Sequence, residues 1–274
     1  MPAFLVCGEP AGPETDCRLD TPAIAPPNPP PNAATMSPSL TERLLNFAPF
    51  RWLYLIRKVF LTHSWRRYWS QYGEDIVLDR VLNLAKPGFY VDVGCFHPVK
   101  NNNTFKLYRR GWRGLNLDID ELKIAAFRLR RPRDVSLACC VSDQPGEIRV
   151  FSPGPWSLTQ TADLATAKKL ASRGVKLTER IVQARPLNQI LDDSEFRGRQ
   201  IDALSIDVEG HELAVLSSLD FDRYQPRVVI LESHVRSLED LMASAEFKLL
   251  AAKGYSLFNW TGPSVHFLRK PTGK

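Results

Sequence analysis

From Ser70 onward, apolar runs of strand length alternate with stretches of helical period. Phe89–Val93 is a short, mostly apolar run after Pro87-Gly88. Asn103–Arg110 predicts a helix, with asparagines before it and Gly111 after it. Leu115–Asp118 is the next strand. Asp120 is placed to cap a helix carrying Leu122, Ala126 and Leu129, which Pro132 stops. Val135–Val141, Ile201–Ile206, Arg227–Leu231, Tyr255–Asn259 and Val265–Leu268 are further strands, with helices expected over Glu212–Leu219 and Leu238–Lys253. Such alternation predicts an α/β domain: a mostly parallel sheet with helices on both faces. The last two strands, split by Thr261-Gly262-Pro263, read as an antiparallel hairpin. Residues 151–200 fit the alternation poorly and are expected to be an insertion near the site, with a polar helix over 163–173 and a strand over 181–185.

The first seventy residues follow other rules. Residues 1–38 hold nine prolines within the first 35 positions and predict a disordered, polyproline-like tail. Met36, near its end and after the last of these nine prolines, is an alternative start. Residues 39–69 predict a basic, aromatic-rich helical extension. Leu53, Ile56 and Phe60 share one helical face, with Arg51 and Lys58 roughly opposite. A helix of this kind suits peripheral contact with an anionic membrane through residues 40–69. Packing on the following domain or on a dimer partner is the competing and preferred reading.

Composition narrows the class. The 274 residues are 44% hydrophobic and 24% charged, ordinary for a globular chain. The net charge of +6 is partly local: residues 40–70 carry six basic residues against Glu42. That balance gives no indication of nucleic-acid binding. Cys7, Cys17, Cys95, Cys139 and Cys140 have neither disulfide-framework nor zinc-site spacing, so a reducing cytoplasm is expected, with contact at the inner membrane face as an option. No run approaches the roughly 20 apolar residues of a membrane span.

Four constellations carry candidate chemistry. In the first, Asp92 and Gly94 close the strand Phe89–Val93, and Gly94 permits a tight turn and close approach of a ligand. Neither a G-x-G-x-x-G fingerprint nor a Walker loop is present. In the second, Asp118 stands 24 residues after Gly94, the place of a ribose-binding carboxylate, with Asp120 as the competing residue. The pair indicates an adenosine-type cofactor. The third, Asp207-Val-Glu-Gly-His-Glu212, gathers four ionisable groups in six positions at a strand end, Glu212 being the one that helix-start acid enrichment explains. The fourth is Glu232 with His234 at the end of the next strand.

Together these residues resemble the FkbM family of methyltransferases. The likeness runs through Ser70-Gln-Tyr-Gly-Glu-Asp75, Gly88-Phe-Tyr-Val-Asp-Val-Gly94 with Pro98, Asn103-Thr104, Leu107-Tyr108, Gly111-Trp-Arg-Gly114, Asp118, Val141-Ser-Asp143, Leu204-Ser-Ile-Asp-Val-Glu-Gly-His-Glu212 and the Glu232 strand, over roughly residues 70–250. It implies a seven-stranded, Rossmann-like (class I) methyltransferase sheet and O-methylation with S-adenosylmethionine, a cofactor without phosphate. Asp92 and Gly94 would then line its methionine part, Asp118 its ribose, and Ser142 or Asp143 its adenine. Asp207 would face the methyl group and acceptor. Family members often have glutamate-proline where Asp118-Ile119 stands here, so the acid of this chain is shorter.

A hydroxyl acceptor must lose its proton as the new bond forms. Asp207 or His234 is expected to take it. His97, Glu209 and Trp156, with Thr159, are the expected acceptor-side residues. The acceptor would be a small molecule or glycan: a sugar, glycolipid or secondary metabolite. A divalent metal held by Asp207 with Glu209, Glu232 or a histidine is the less favoured arrangement. Two other classes compete, a nucleotide-dependent oxidoreductase on a Rossmann-type sheet and a non-catalytic scaffold. The missing glycine fingerprint and the terminal hairpin oppose the first; three carboxylates along one sheet edge oppose the second.

Overall fold

The computed structural model describes residue 44 and residues 47–60, 68–82, 86–157 and 159–270. The polyproline-like tail expected over residues 1–38 lies outside the described residues. The chain divides into two units, Met1–Trp65 and Arg66–Lys274.

In the first unit, α1 (Ala48–Phe60) is an amphipathic helix with no acid in its first turn. Trp52, Leu53 and Ile56 are exposed on it. Among the described residues no helix is long and apolar enough to cross a membrane.

The second unit is built on a seven-stranded sheet. Its elements in chain order are α2 (Glu74–Val81), β1 (Phe89–Val93), α3 (Phe105–Arg109), β2 (Arg113–Asp118), α4 (Glu121–Arg130), β3 (Val135–Ala138), β4 (Cys140–Val141), β5 (Gly146–Ser152), α5 (Leu164–Ser172), β6 (Thr178–Arg185), α6 (Leu187–Asp192), β7 (Ala203–Ile206), α7 (Glu212–Ser217), α8 (Phe221–Tyr224), β8 (Val228–Glu232), α9 (Leu238–Ala243), α10 (Ala245–Ala252), β9 (Tyr255–Thr261) and β10 (Ser264–Arg269). The sheet order is β3-β2-β1-β7-β8-β10-β9. Neighbours are parallel from β3 to β8, and β10 runs antiparallel to both β8 and β9. The last strand thus folds back between its predecessor and the sheet, as the hairpin pattern predicts.

Alternation along β1 supplies both faces. Phe89, Val91 and Val93 join a core with Leu187, Ile190, Val215 and Leu216 of α6 and α7. Tyr90 joins a second core with Leu78 of α2 and Phe105 and Leu107 of α3. A strand buried on both faces must be apolar nearly throughout, which is the pattern of a central parallel strand.

Several boundaries differ from the sequence reading. The strand expected over Val135–Val141 divides at Cys139, whose N–H donates to Asp118 O at 3.0 Å. Cys140–Val141 leave the main sheet and pair with Ala184–Arg185 in a three-stranded sheet of order β4-β6-β5. This small sheet and α5 occupy residues 140–185, overlapping the insertion expected over 151–200. Residues 187–192 form α6, whose Leu187, Ile190 and Leu191 belong to the main core. The long helix expected over Leu238–Lys253 breaks at Ser244, where extended backbone (ψ 154°) stops α9 and the hydroxyl accepts from Phe247 N to start α10. On α4 the apolar Leu122 and Leu129 face outward, 55% and 87% exposed, while Lys123, Ile124 and Phe127 are buried.

Candidate active site

Parallel register brings the carboxyl ends of four strands level. Val93 pairs with Leu117 and Ile206, and Ile206 with Leu231. The next residues, Gly94, Asp118, Asp207 and Glu232, therefore stand in a row along one edge. Gly94 has φ +77°, and a Cβ there would lie 1.7 Å from Asp207 O. Any side chain would push the β1 and β7 ends apart, so glycine is obligatory at this crossing.

A cavity opens at this edge, lined by the ends of β1, β2 and β7 and by residues of the insertion. Its walls include Gly94, Phe96, Asp118, Lys123, Asp207 and Glu209. Apolar surface comes from Val93, Leu117, Ile119 and Val141, and the insertion contributes Gln160 and Ala162.

At one end sits Asp118. Its Oδ1 accepts from Asp120 N (2.9 Å) and its Oδ2 from Phe96 N (3.2 Å) and Lys123 Nζ (3.4 Å). Burial pushes its carboxyl up, with Lys123 as the largest opposing influence. Asp120 caps α4 through Leu122 N, as expected, and its Oδ2 also accepts from Trp156 N (2.7 Å) and Gln160 Nε2 (3.0 Å). The two acids thus divide the work: Asp118 faces the cavity and Asp120 anchors the insertion.

At the other end the acids crowd. Asp207 lines the cavity and is exposed there as a residue, yet its carboxyl is hemmed in by surrounding protein groups. That burial, then the Glu232 carboxylate beside it, pushes it well above the usual carboxylate range. Glu232 is raised by burial, and its Oε2 is buried with no hydrogen-bond partner among the described residues. Glu209 is pushed up to about 7, by burial first and then by Asp207. Its backbone is left-handed (φ +54°), followed by Gly210 at +96°. Glu212 holds this bend, its Oε1 accepting from Val208 N (3.2 Å) and Gly210 N (3.1 Å). Thr161 Oγ1 of the insertion donates to Glu209 O at 2.8 Å. His234 Nε2 lies 3.9 Å from Glu209 and 3.7 Å from Glu232. Glu209, Glu232 and His234 each offer a ligand atom within 4.8 Å of the others, a spacing compatible with a cation.

Other expected residues lie elsewhere. Asp92, placed by resemblance on the methionine side, is not on the cavity wall. Strand alternation turns it to the α3 face, where it accepts from Asn102 Nδ2 (3.0 Å) and Thr104 Oγ1 (2.7 Å). Beneath them the fully buried Arg131 donates to Pro98 O (2.7 Å), Thr104 Oγ1 (2.9 Å) and Asn102 Oδ1 (2.6 Å). Asp92 thus ties down the loop after β1. Ser142 is buried and bonded to His211 Nε2 (3.0 Å) and Asp143; neither Ser142 nor Asp143 lines the cavity, whereas His211 does. His97 and Trp156 meet edge-on, centroids 6.0 Å apart, outside the lining. His97 Nδ1 accepts from Val99 N and Lys100 N, and burial lowers its pKa. The Ser70–Asp75 motif is structural: Asp75 accepts from Ser70 Oγ (2.8 Å) and Trp69 N (3.0 Å).

Sequence reasoning missed Phe96, Lys123 and Gln160. The only trace of Lys123 was its place one turn into α4, on the same face as Ile124 and Phe127. The left-handed Phe96 (φ +44°) left none.

A parallel sheet in this order, closed by one reversed strand, with carboxylates rather than a phosphate loop at its strand ends, has the architecture of a class I methyltransferase. The chain belongs to the FkbM methyltransferase domain family: the family's model matches residues 92–257, more than half of the chain. A TehB-like SAM-dependent methyltransferase from Corynebacterium glutamicum is similar at 12% identity over 83% of this chain and 98% of that one, with a TM-score of 0.38, too low to carry weight. Among curated proteins no relative matches.

Proposed function

We propose that this methyltransferase uses S-adenosylmethionine to methylate a hydroxyl on a sugar, glycolipid or secondary metabolite. The supporting observation is the polarity of the cavity, with a ribose-type acid, Asp118, at one end and Asp207 and Glu209 at the other, Glu232 lying beside Asp207. The donor set fits the cofactor: a diol suits Asp118, apolar walls suit adenine, and an acidic end suits a sulfonium. When bound, the cofactor supplies a methyl carbon activated by that sulfonium.

The chain's own residues then have two tasks. Gly94 and the apolar walls hold donor and acceptor in line, where most of the rate gain of such a displacement originates. The acidic end takes the acceptor proton. Glu209 is the residue best matched to that role, since a general base works best with a pKa near the operating pH. His234 beside it can pass the proton to solvent. Asp207, two residues before Glu209 at the same strand end, orients the acceptor oxygen by hydrogen bonding. The insertion shapes the acceptor side through Gln160 and Ala162. The exposed face of α1 bearing Trp52, Leu53 and Ile56 suits peripheral contact at the cytoplasmic membrane face, where a glycolipid acceptor would be met.

Calorimetric titration with S-adenosylmethionine, its demethylated product and NAD tests the cofactor. Label transfer from methyl-tritiated S-adenosylmethionine into glycan, lipid and metabolite fractions then tests the acceptor. Tight binding of NAD alone would support the oxidoreductase reading; binding of none would support a scaffold.

A further inference from the structure

We propose that Lys123 is a ribose ligand of this site: its ammonium donates to a ribose oxygen while Asp118 accepts from the hydroxyls. The inference rests on the reading that an adenosine-type cofactor occupies the cavity.

Lysines almost never lie fully buried unless paired, and their flexible stems usually carry the charge to water. Lys123 is only 4% exposed and lines the cavity. Helical period forces this, because it shares the inward face of α4 with Ile124 and Phe127. Its Nζ lies 3.4 Å from Asp118 Oδ2 and 5.2 Å from the centroid of the Phe96 ring. That separation is looser than a charge-assisted bond of about 2.7–2.9 Å. An ammonium has three protons to donate, yet among the described residues Asp118 Oδ2 is its one oxygen partner.

Asp118 is short of sites in turn. A carboxylate offers about four lone-pair positions. Asp120 N, Phe96 N and Lys123 Nζ take three of them. A ribose diol asks for two, so one hydroxyl can land directly and the second must take the position that Lys123 holds. Swinging through a small angle from the same stem, the ammonium then meets a ribose oxygen. Phe96 keeps it over its ring and its own N–H keeps the carboxylate in place.

The test is calorimetry on the full chain with S-adenosylhomocysteine and its 2′-deoxy and 3′-deoxy analogues, using wild type, Lys123→Met and Lys123→Arg. A charged hydrogen bond corresponds to about 10- to 100-fold in affinity. Lys123→Met should weaken S-adenosylhomocysteine by at least about tenfold. It should also flatten the penalty for deleting one hydroxyl: about tenfold or more in wild type, threefold or less in the variant. Lys123→Arg should restore part of both. Equal loss for all three ligands, or no loss, overturns the proposal, since support of Asp118 or a general field cannot distinguish one hydroxyl. Thermal melting checks folding, and Lys123→Gln replaces the Met variant if that one melts early. If wild type binds adenosine with the same Lys123-dependent pattern but not S-adenosylhomocysteine, the cofactor reading falls and the ribose role stands.

Discussion

Replacing Glu209 by Gln isolates the electrostatics of the acidic end, because the two side chains match in shape and the left-handed backbone at this position is untouched. In the folded protein the carboxyl of Glu209 is raised from 4.5 to about 7. Below pH 4.5 both folded and unfolded chains hold the proton and the substitution changes little. Between pH 4.5 and 7 the folded state holds a proton that the unfolded state has released, so stability falls as pH rises. Above 7 the folded protein carries an uncompensated charge beside Asp207. At ~1.4 kcal/mol per tenfold step the full rise corresponds to roughly 3 kcal/mol. The side chain is 26% exposed and faces His234, so about half of that, roughly 1.5 kcal/mol, is the realistic expectation. Urea unfolding of the full chain should therefore show Glu209→Gln within a few tenths of a kcal/mol of wild type at pH 5 and about 1.5 kcal/mol more stable at pH 8, with unchanged m-values. A stability difference independent of pH, or of opposite sign at pH 8, would refute the reasoning. The same variant should lose turnover about 100-fold or more if Glu209 takes the acceptor proton.

Other consequences follow from the same geometry. Gly94→Ala should cost roughly 3 kcal/mol or prevent folding, since its Cβ would meet Asp207 O at 1.7 Å; a native-like melting curve for that variant would contradict the crossing. Arg131→Met leaves Asp92 buried without its largest favourable partner and should destabilise by about 3–5 kcal/mol, read by denaturant midpoint. S-adenosylmethionine should release up to about half a proton from Glu209 on binding at pH 7, and its uncharged-sulfur product less, because a cation at the acidic end displaces that proton; buffers of different ionisation enthalpy read this directly, and equal counts would oppose the placement. EDTA should leave turnover unchanged, protons rather than a metal neutralising the acids; loss restored by a divalent ion would make Glu209, Glu232 and His234 a metal site.

The order of elements was legible in the sequence because each strand must bury both faces, which forces an apolar run, and each helix must turn one face inward. The two periods separate the elements, and the glycine and proline stops bound them. Where Val135–Val141 divides was not legible: Cys139 and Cys140 are equally apolar, and only the partner strand decides which sheet each joins. The split at Ser244 escaped for a similar reason, since a serine is tolerated inside a helix and its capping role appears only with the Phe247 bond.

At the site, the sequence by itself determined which acids exist and that Gly94, Asp118, Asp207 and Glu232 end strands. Parallel register determined that they share one edge, and only the tertiary structure decided which of them face the cavity. Asp92 and Asp118 both close strands, but Asp92 turns into the Asn102–Arg131 network while Asp118 meets the ligand space. Lys123 gave no motif and is buried by the packing of α4 alone. A side chain's type is written locally, whereas its direction and its charge depend on what other elements bring beside it.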